Sequence, residues 1–128
     1  MEEQTPILVL VTLQRSCARL IRAGADMGLK QGRPIHVLHV VGKNTPHTPE
    51  RYAQTLDYLY ALAGEAGAQM CLITADVPVT AIANYARDNG VKRVVMGGGA
   101  QAAGIAETLS DLMPGVEVRI MDPEEESL

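Results

Sequence analysis

The feature that most constrains this chain is a regular alternation of short apolar runs with longer amphipathic segments. Residues 7–11 form a continuous apolar run rich in β-branched side chains, typical of a strand buried on both faces of a parallel sheet. In the segment that follows, apolar and small residues recur at helical spacing between charged ones, from Cys17 to Gly28. This spacing predicts an amphipathic helix of about four turns that ends near Gly32.

The same alternation continues to residue 121 and predicts four more strands, at residues 35–41, 69–74, 91–96 and 116–121. Helical patterns lie between them, and Gly67, Asp76, Pro78 and Gly90 are expected at helix ends. The predicted order is therefore β-α-β-α-β-α-β-α-β. Right-handed crossovers turn this order into one doubly wound, five-stranded parallel α/β sheet with helices on both faces.

Composition narrows the function class. The chain has 128 residues, which fits one domain, and 47% apolar against 20% charged residues, which argues against disorder. A net charge of −4 argues against a general nucleic-acid or anionic-membrane binder. Cys17 and Cys71 lie in apolar surroundings without metal or disulfide spacing, and the start of the chain lacks the pattern of a secretory signal. We therefore expect reduced thiols and a cytoplasmic protein.

A ligand on such a sheet binds at the carboxyl ends of the strands, where the strand order reverses. Periodicity alone does not give the order. If it is 3-2-1-4-5, the crevice lies between the first and fourth strands. Its walls are then residues 12–14 on one side and residues 97–100 on the other, so Thr12 and Gln14 could hydrogen-bond an adenine or ribose, or could simply cap the first helix.

Glycines follow the predicted fourth strand in the sequence Gly97, Gly98, Gly99, Ala100. As a binding loop, their N–H groups could face an anion at the start of the next helix. As a plain turn, they would only join strand to helix. The spacing also fits a loose dinucleotide fingerprint, but that fingerprint follows a first strand, so NAD is disfavoured.

Two further residues are candidates for contacts with a ligand, each with a structural alternative. Asp76, after the third strand, could reach a ribose hydroxyl or could cap the next helix. Val40, at the end of the second strand, could flank an adenine or could belong to the core. We list the candidate cofactor-binding residues as Thr12, Gln14, Val40, Asp76, Gly97, Gly98, Gly99 and Ala100.

No catalytic or metal-binding constellation is legible in the sequence. His36 and His39 are three apart on one predicted strand, so they point to opposite faces and cannot chelate one ion together. No lysine-bearing P-loop is present. A flavin carrier usually offers aromatic stacking, but Trp and Phe are absent, and a hydrolase needs a metal-holding carboxylate where Thr12 stands. We therefore predict no enzyme and no metal.

Residues 76–86, which begin Asp-Val-Pro and carry Ile82 and Ala86 four apart, are followed by residues 91–97, which end in Val-Met-Gly. This pattern resembles the universal stress protein family. The resemblance spans most of the chain and implies a single domain over residues 1–128, with a core at 6–121, an acidic tail at 122–128 and strand order 3-2-1-4-5. It also implies adenine-nucleotide binding and a homodimer formed through the last strand. The same module occurs within sensor kinases and transporters, so the chain could be a fragment of one.

The sequence departs from that family where phosphates would bind. Nucleotide-binding members resemble Gly-x2-Gly-x9-Gly-Ser/Thr after the fourth strand, whereas residues 97–104 have no such Gly-Ser/Thr partner and the segment to Pro114 is short. Thr12 replaces the acidic residue expected after the first strand. Our leading hypothesis is a non-catalytic, ligand-sensing regulatory module that binds ATP or AMP. The alternative is a dimerisation or protein-interaction module without a ligand.

Overall fold

A computed structural model describes residues 5–11, 17–41, 49–98 and 102–121, with the side chains of residues 49–52 outside that description. The predicted acidic tail at 122–128 also lies outside it. Strands and helices alternate in the predicted order, and their bounds are β1 (Ile7–Leu10), α1 (Cys17–Gln31), β2 (Ile35–Val41), α2 (Pro49–Glu65), β3 (Gln69–Thr74), α3 (Pro78–Asp88), β4 (Arg93–Gly97), α4 (Ala102–Leu112) and β5 (Glu117–Met121).

The five strands form one parallel sheet in the order β3-β2-β1-β4-β5, which confirms the predicted fold class. In the central pairs, Ile7 lies beside both Ile35 and Arg93, so β1 is paired on both sides. β3 and β5 are the edge strands. The order reverses at β1: β2 and β3 lie on one side of it, and β4 and β5 lie on the other.

The junction after α3 explains the largest difference in strand bounds. Gly90 has a φ of 67°, which glycine adopts without the steric cost that a Cβ brings, and Val91 then donates its N–H to the Ala86 carbonyl at 2.8 Å. Val91 is therefore part of the helix-terminating turn, and β4 begins at Arg93 rather than at the predicted Val91.

The start of α3 corrects one capping prediction. The N-cap of α3 is Val77, with no side-chain capping bond, and Pro78 lies in the first turn as predicted. Asp76 is one residue too early to cap the helix. The proline sets a helical φ and has no N–H to satisfy, so this helix can begin without a polar cap.

Each face of the sheet has its own buried core, since strand side chains alternate between the faces. On one face α1 and α2 cover a cluster that is buried in Ile7, Val9, Val11, Ala18, Leu20, Ile21, Ile35, Val37, Leu59, Ala63 and Val95. On the other face α3 and α4 cover Leu8, Leu38, Ile82, Ala86, Val91, Val94, Met96, Ala102, Leu109 and Met113. Both faces of the central strands are thus apolar, as the continuous run at residues 7–11 predicts.

Helix α1 approaches the sheet closely through two buried glycines of its predicted inner face. A Cβ on Gly24 would overlap the Val9 side chain, and one on Gly28 would overlap Ile35 and lie 2.8 Å from the Arg33 carbonyl oxygen. These positions are therefore small because the helix backbone rests directly on strand side chains.

No helix within the described part of the chain is both long and apolar enough to cross a membrane.

Candidate functional site

The predicted crevice lies where β1 and β4 end side by side. Leu10 pairs with Met96 at this end of the two strands. Leaving β1, the chain enters α1 on one face of the sheet, whereas α4, which follows β4, packs on the other face. The helices that follow the two strands therefore pack on opposite faces, and a sheet of this kind is expected to bind a ligand at such a carboxyl edge. The connecting residues 12–16 and 99–101 lie outside the described ranges.

Gly97 is the described residue at this edge whose identity the fold explains least. It ends β4, beside Met121 of β5, and its φ lies outside the left-handed region. Among the described residues, a Cβ added there would meet only Leu20 Cδ2, at 3.7 Å, which is ordinary van der Waals contact. Neither the backbone conformation nor the packing of the described residues requires a glycine at this position.

Gly98 has a different environment. Its N–H donates to the Met121 carbonyl at 3.1 Å and so extends the β4–β5 pairing by one residue, while the residue itself is exposed. That N–H is already used in the sheet. Gly98 is therefore accessible to a ligand but cannot donate its backbone N–H to it. Gly99 and Ala100, the rest of the predicted loop, fall outside the residues that the structure describes.

Val40 and Gly97 reach the same edge from opposite faces of the sheet. Val40 is half-buried in β2, beside Ile73, and packs against the core under α3 and α4. The Cα of Gly97 instead faces Leu20 of α1. A single ligand that contacts both residues has to extend over the ends of the strands.

Asp76 stands two residues beyond β3 and is exposed. Because β3 is two strands away from β1, roughly 10 Å at the usual spacing, Asp76 borders the outer end of this edge. Thr12 and Gln14, predicted on the β1 side, lie outside the described residues. The structure therefore brings Val40, Asp76, Gly97 and Gly98 to one edge, in the order of their strands.

His39 also lies at this edge, although the sequence pattern raised it only in connection with metal binding. Its side chain is 6% exposed, and its Nδ1 lies 3.0 Å from the Val11 carbonyl oxygen. A carbonyl can only accept, so Nδ1 carries the proton and donates it. Val11 in turn donates its N–H to the Leu38 carbonyl at 3.0 Å. His39 thus holds the point where the chain leaves β1, and a polar residue inside an apolar strand was the signal for it.

Among the described residues, no group of three or more His, Cys, Asp and Glu side chains is placed to hold a metal ion. The contacts of His36 and His39 agree with their predicted separation, since His36 contacts Tyr85 of α3 and His39 contacts the end of β1. The described part of this edge therefore offers apolar contact, one carboxylate and a glycine, Gly97, that no described neighbour requires.

No protein-family model and no curated protein sequence matches this chain. Solved structures do match, all at low sequence identity. A universal stress protein in complex with cAMP has a TM-score of 0.70 at 14% identity, over 95% of this chain and 99% of its own. One from Archaeoglobus fulgidus in complex with dAMP has a TM-score of 0.65 at 17% identity, over 94% and 98%. A family protein from Burkholderia pseudomallei has 0.65 at 19%, over 91% and 95%.

These matches span nearly the whole length of both chains, and they are consistent with the five-stranded parallel α/β fold described above. Identities below a fifth mean that the likeness is one of backbone rather than of side chains. The resemblance drawn from residues 76–86 and 91–97 is confirmed at the level of architecture: this chain has the universal stress protein fold.

Proposed function

We propose that this chain is a non-catalytic regulatory module that senses an adenine mononucleotide at the crevice between β1 and β4. The observation that carries the proposal is Gly97 itself, because among the described residues an added Cβ would make only an ordinary van der Waals contact, with Leu20 Cδ2 at 3.7 Å. A glycine that neither conformation nor packing requires, placed where strand order reverses, is typical of a position that a ligand approaches closely.

Two structural neighbours favour a ligand with a single phosphate. One neighbour is a complex with dAMP and another a complex with cAMP. The sequence lacks the Gly-Ser/Thr pair that would hold further phosphates, and the Gly98 N–H is already bonded to Met121. AMP-like ligands therefore suit this chain better than ATP does.

Strand order constrains how such a ligand lies. A phosphate beside Gly97 of β4 places the ribose over β1 and the adenine over β2, where Val40 flanks it, because the ribose joins the other two groups. The span from β4 to β2 is roughly 10 Å, which an extended mononucleotide covers. Asp76 then faces the exocyclic amine of adenine, as an acceptor, rather than the ribose. Thr12, Gln14, Gly99 and Ala100 complete the proposed contacts.

The proposed module is a homodimer that pairs through β5. This strand is an edge of the sheet, and Ile120 on it is 37% exposed. An unpaired edge strand with an exposed apolar side chain is suited to pairing with a second copy. Nucleotide binding beside Met121, at the end of the same strand, would give the ligand a direct route to the dimer contact.

Thermal unfolding of the chain with and without nucleotide tests the proposal. A ligand at 100 times its dissociation constant stabilises by about 2.7 kcal/mol, a rise of several degrees for a chain of this size. We expect AMP and dAMP to raise the melting temperature, and ATP and NAD to raise it less. No rise with any nucleotide at millimolar concentration would contradict nucleotide sensing.

The Gly98 N–H is bonded to the Met121 carbonyl and so is not available to a phosphate. This bond favours a second candidate function, a dimerisation or protein-interaction module that binds no nucleotide. Sedimentation of the chain with and without AMP separates the two. A dimer whose dissociation constant is indifferent to AMP, together with no thermal shift, would support the second candidate.

A further inference from the structure

Away from the crevice, three side chains from three different elements meet on the face covered by α3 and α4. Tyr85 of α3 places its Oη 2.7 Å from Nδ1 of His36 on β2 and 3.3 Å from Sγ of Cys71 on β3. All three residues are partly buried. His36 is near the start of β2 and Tyr85 near the end of α3, so this cluster lies toward the amino edge of the sheet, opposite the crevice.

The three groups form a continuous path for a proton. The tyrosine hydroxyl has a single proton, so the path has two ordered arrangements. In the first, the Cys71 thiol donates to Tyr85, and Tyr85 donates to the neutral His36 Nδ1. In the second, His36 Nδ1–H donates to Tyr85, and Tyr85 donates to the Cys71 sulfur. Passing from the first arrangement to the second moves one proton from sulfur to imidazole and leaves a thiolate.

The surroundings of the sulfur favour donation toward it. The Gln69 side-chain amide donates to the Cys71 sulfur at 3.8 Å, so Gln69 and Tyr85 approach the sulfur from two sides. Burial first, then the bond to Cys71 and the charge of its thiolate, raise the pKa of Tyr85 far above its ordinary value. Tyr85 therefore keeps its proton and remains able to donate when the sulfur is ionised.

We propose that Cys71 is a peroxide-reactive thiol whose proton leaves through Tyr85 to His36. The Cys71 sulfur attacks one oxygen of a hydroperoxide, an S–O bond forms and the O–O bond breaks. The thiol proton returns along the same path to the departing oxygen. For hydrogen peroxide the products are a sulfenic acid and water, with sulfur oxidised by two electrons and the peroxide reduced by two. Partial burial admits a small, uncharged oxidant of this kind.

The position of the other cysteine determines the fate of the product. Cys17 packs against the core under α1 and α2, whereas Cys71 packs against the core under α3 and α4, so the sheet separates them. The chain has only these two cysteines. The sulfenic acid therefore has no partner within one chain and persists until a small thiol reduces it or forms a mixed disulfide with it.

The test is to treat the full chain with hydrogen peroxide, trap sulfenic acid with dimedone, and measure both cysteines by peptide mass spectrometry. Cys17 is the internal reference, since it is the other cysteine of the chain, is likewise half-buried and forms no disulfide. We expect Cys71 to be trapped at least about tenfold faster than Cys17 in the folded chain, and the two rates to become equal in denaturant. Equal rates in the folded chain would overturn the proposal.

Variants of the path separate its chemistry from simple exposure. We expect Tyr85→Phe, and independently His36→Asn, to slow trapping at Cys71 about tenfold while leaving Cys17 unchanged. The matched control is Tyr60→Phe, since Tyr60 is 61% exposed on α2 and belongs to no part of the cluster. If Tyr85→Phe merely loosens α3, Cys71 becomes more exposed and is trapped faster. A rate that is unchanged or raised in both path variants would contradict the proposal.

Discussion

The two faces of the sheet differ in what their helices rest on. On the face of α1 the backbone lies directly against strand side chains, because Gly24 and Gly28 leave no side chain between them. On the face of α3 the helix instead places Tyr85 against two polar strand residues, His36 and Cys71. The same sheet thus supports one closely packed, mainly apolar contact and one that contains ionisable groups. One sheet can therefore hold one helix through backbone contact and another through polar side chains.

The largest expected effect is on the closely packed face. Gly28→Ala places a methyl group against Ile35 and the Arg33 carbonyl, and the carbonyl is backbone that cannot rotate away. We expect a loss of about 3 kcal/mol in the free energy of unfolding, at the upper end for overpacked sites. Urea denaturation followed by circular dichroism measures it.

Its matched control is Gly104→Ala on α4, where an added Cβ would meet none of the described residues within 4 Å. Alanine has the higher helix propensity, so this variant should gain up to about 1 kcal/mol. Equal effects of the two substitutions would show that α1 is not pressed onto the sheet as described.

A smaller loss is expected where the chain leaves β1. His39→Leu fills the buried position with an apolar side chain but removes the Nδ1–H that donates to the Val11 carbonyl. Leaving that buried acceptor without this bond should cost about 2 kcal/mol. His39→Gln retains an N–H donor and should recover part of the loss in the same denaturation experiment. A His39→Leu variant as stable as the parent would contradict the holding role assigned to His39.

The smallest effect is a pH dependence on the α3 face. Burial lowers the pKa of His36 below its ordinary 6.5, so the unfolded chain takes up that proton at a higher pH than the folded chain does. The stability due to neutral His36 is therefore present above pH 6.5 and is lost as pH falls through 6.5 toward the folded-state pKa.

The measurement is the free energy of unfolding from pH 7.5 to 5 in the parent and in His36→Asn. The group in contact with His36 is Tyr85, which in turn contacts Cys71, and burial raises the pKa of Tyr85, so the tyrosine stays neutral throughout this interval. The parent should lose more stability than the variant over the interval. Parallel pH profiles would mean that His36 is not buried in its neutral form.

The fold could be predicted from the sequence because the information is local. The predicted strands at residues 35–41 and 69–74 match β2 and β3 at both ends. Short, mainly apolar runs bounded by turn residues fit few structures other than a buried strand. The start of β4 was predicted wrongly because Val91 donates its N–H to the Ala86 carbonyl and so belongs to the turn that ends α3. Strand order came from the resemblance and not from periodicity, because pairing between distant segments has no local signature.

The candidate site was less predictable from the sequence. That Asp76 does not cap α3, and that the Gly98 N–H is used by Met121, both depend on where neighbouring chain segments lie. The proton path at Tyr85 joins residues 14 and 49 positions apart in sequence, so no motif could indicate it. The nucleotide contacts of Thr12, Gln14, Gly99 and Ala100 stay predictions.

The most direct test of the account is the affinity for AMP of the parent chain, of Gly97→Ala and of Gly64→Ala, measured by calorimetry. The Gly97 methyl has room beside Leu20 Cδ2 at 3.7 Å, so the variant should unfold at the parent's temperature. Gly64 lies on α2, where a Cβ meets none of the described residues within 4 Å, and serves as the control. We expect Gly97→Ala to weaken AMP binding at least about tenfold, since the proposed phosphate approaches the backbone of residue 97 closely and a side chain there hinders that approach, and Gly64→Ala to leave it unchanged. Equal affinity in all three proteins, or no measurable binding in the parent, would contradict a nucleotide site at the β1–β4 crevice.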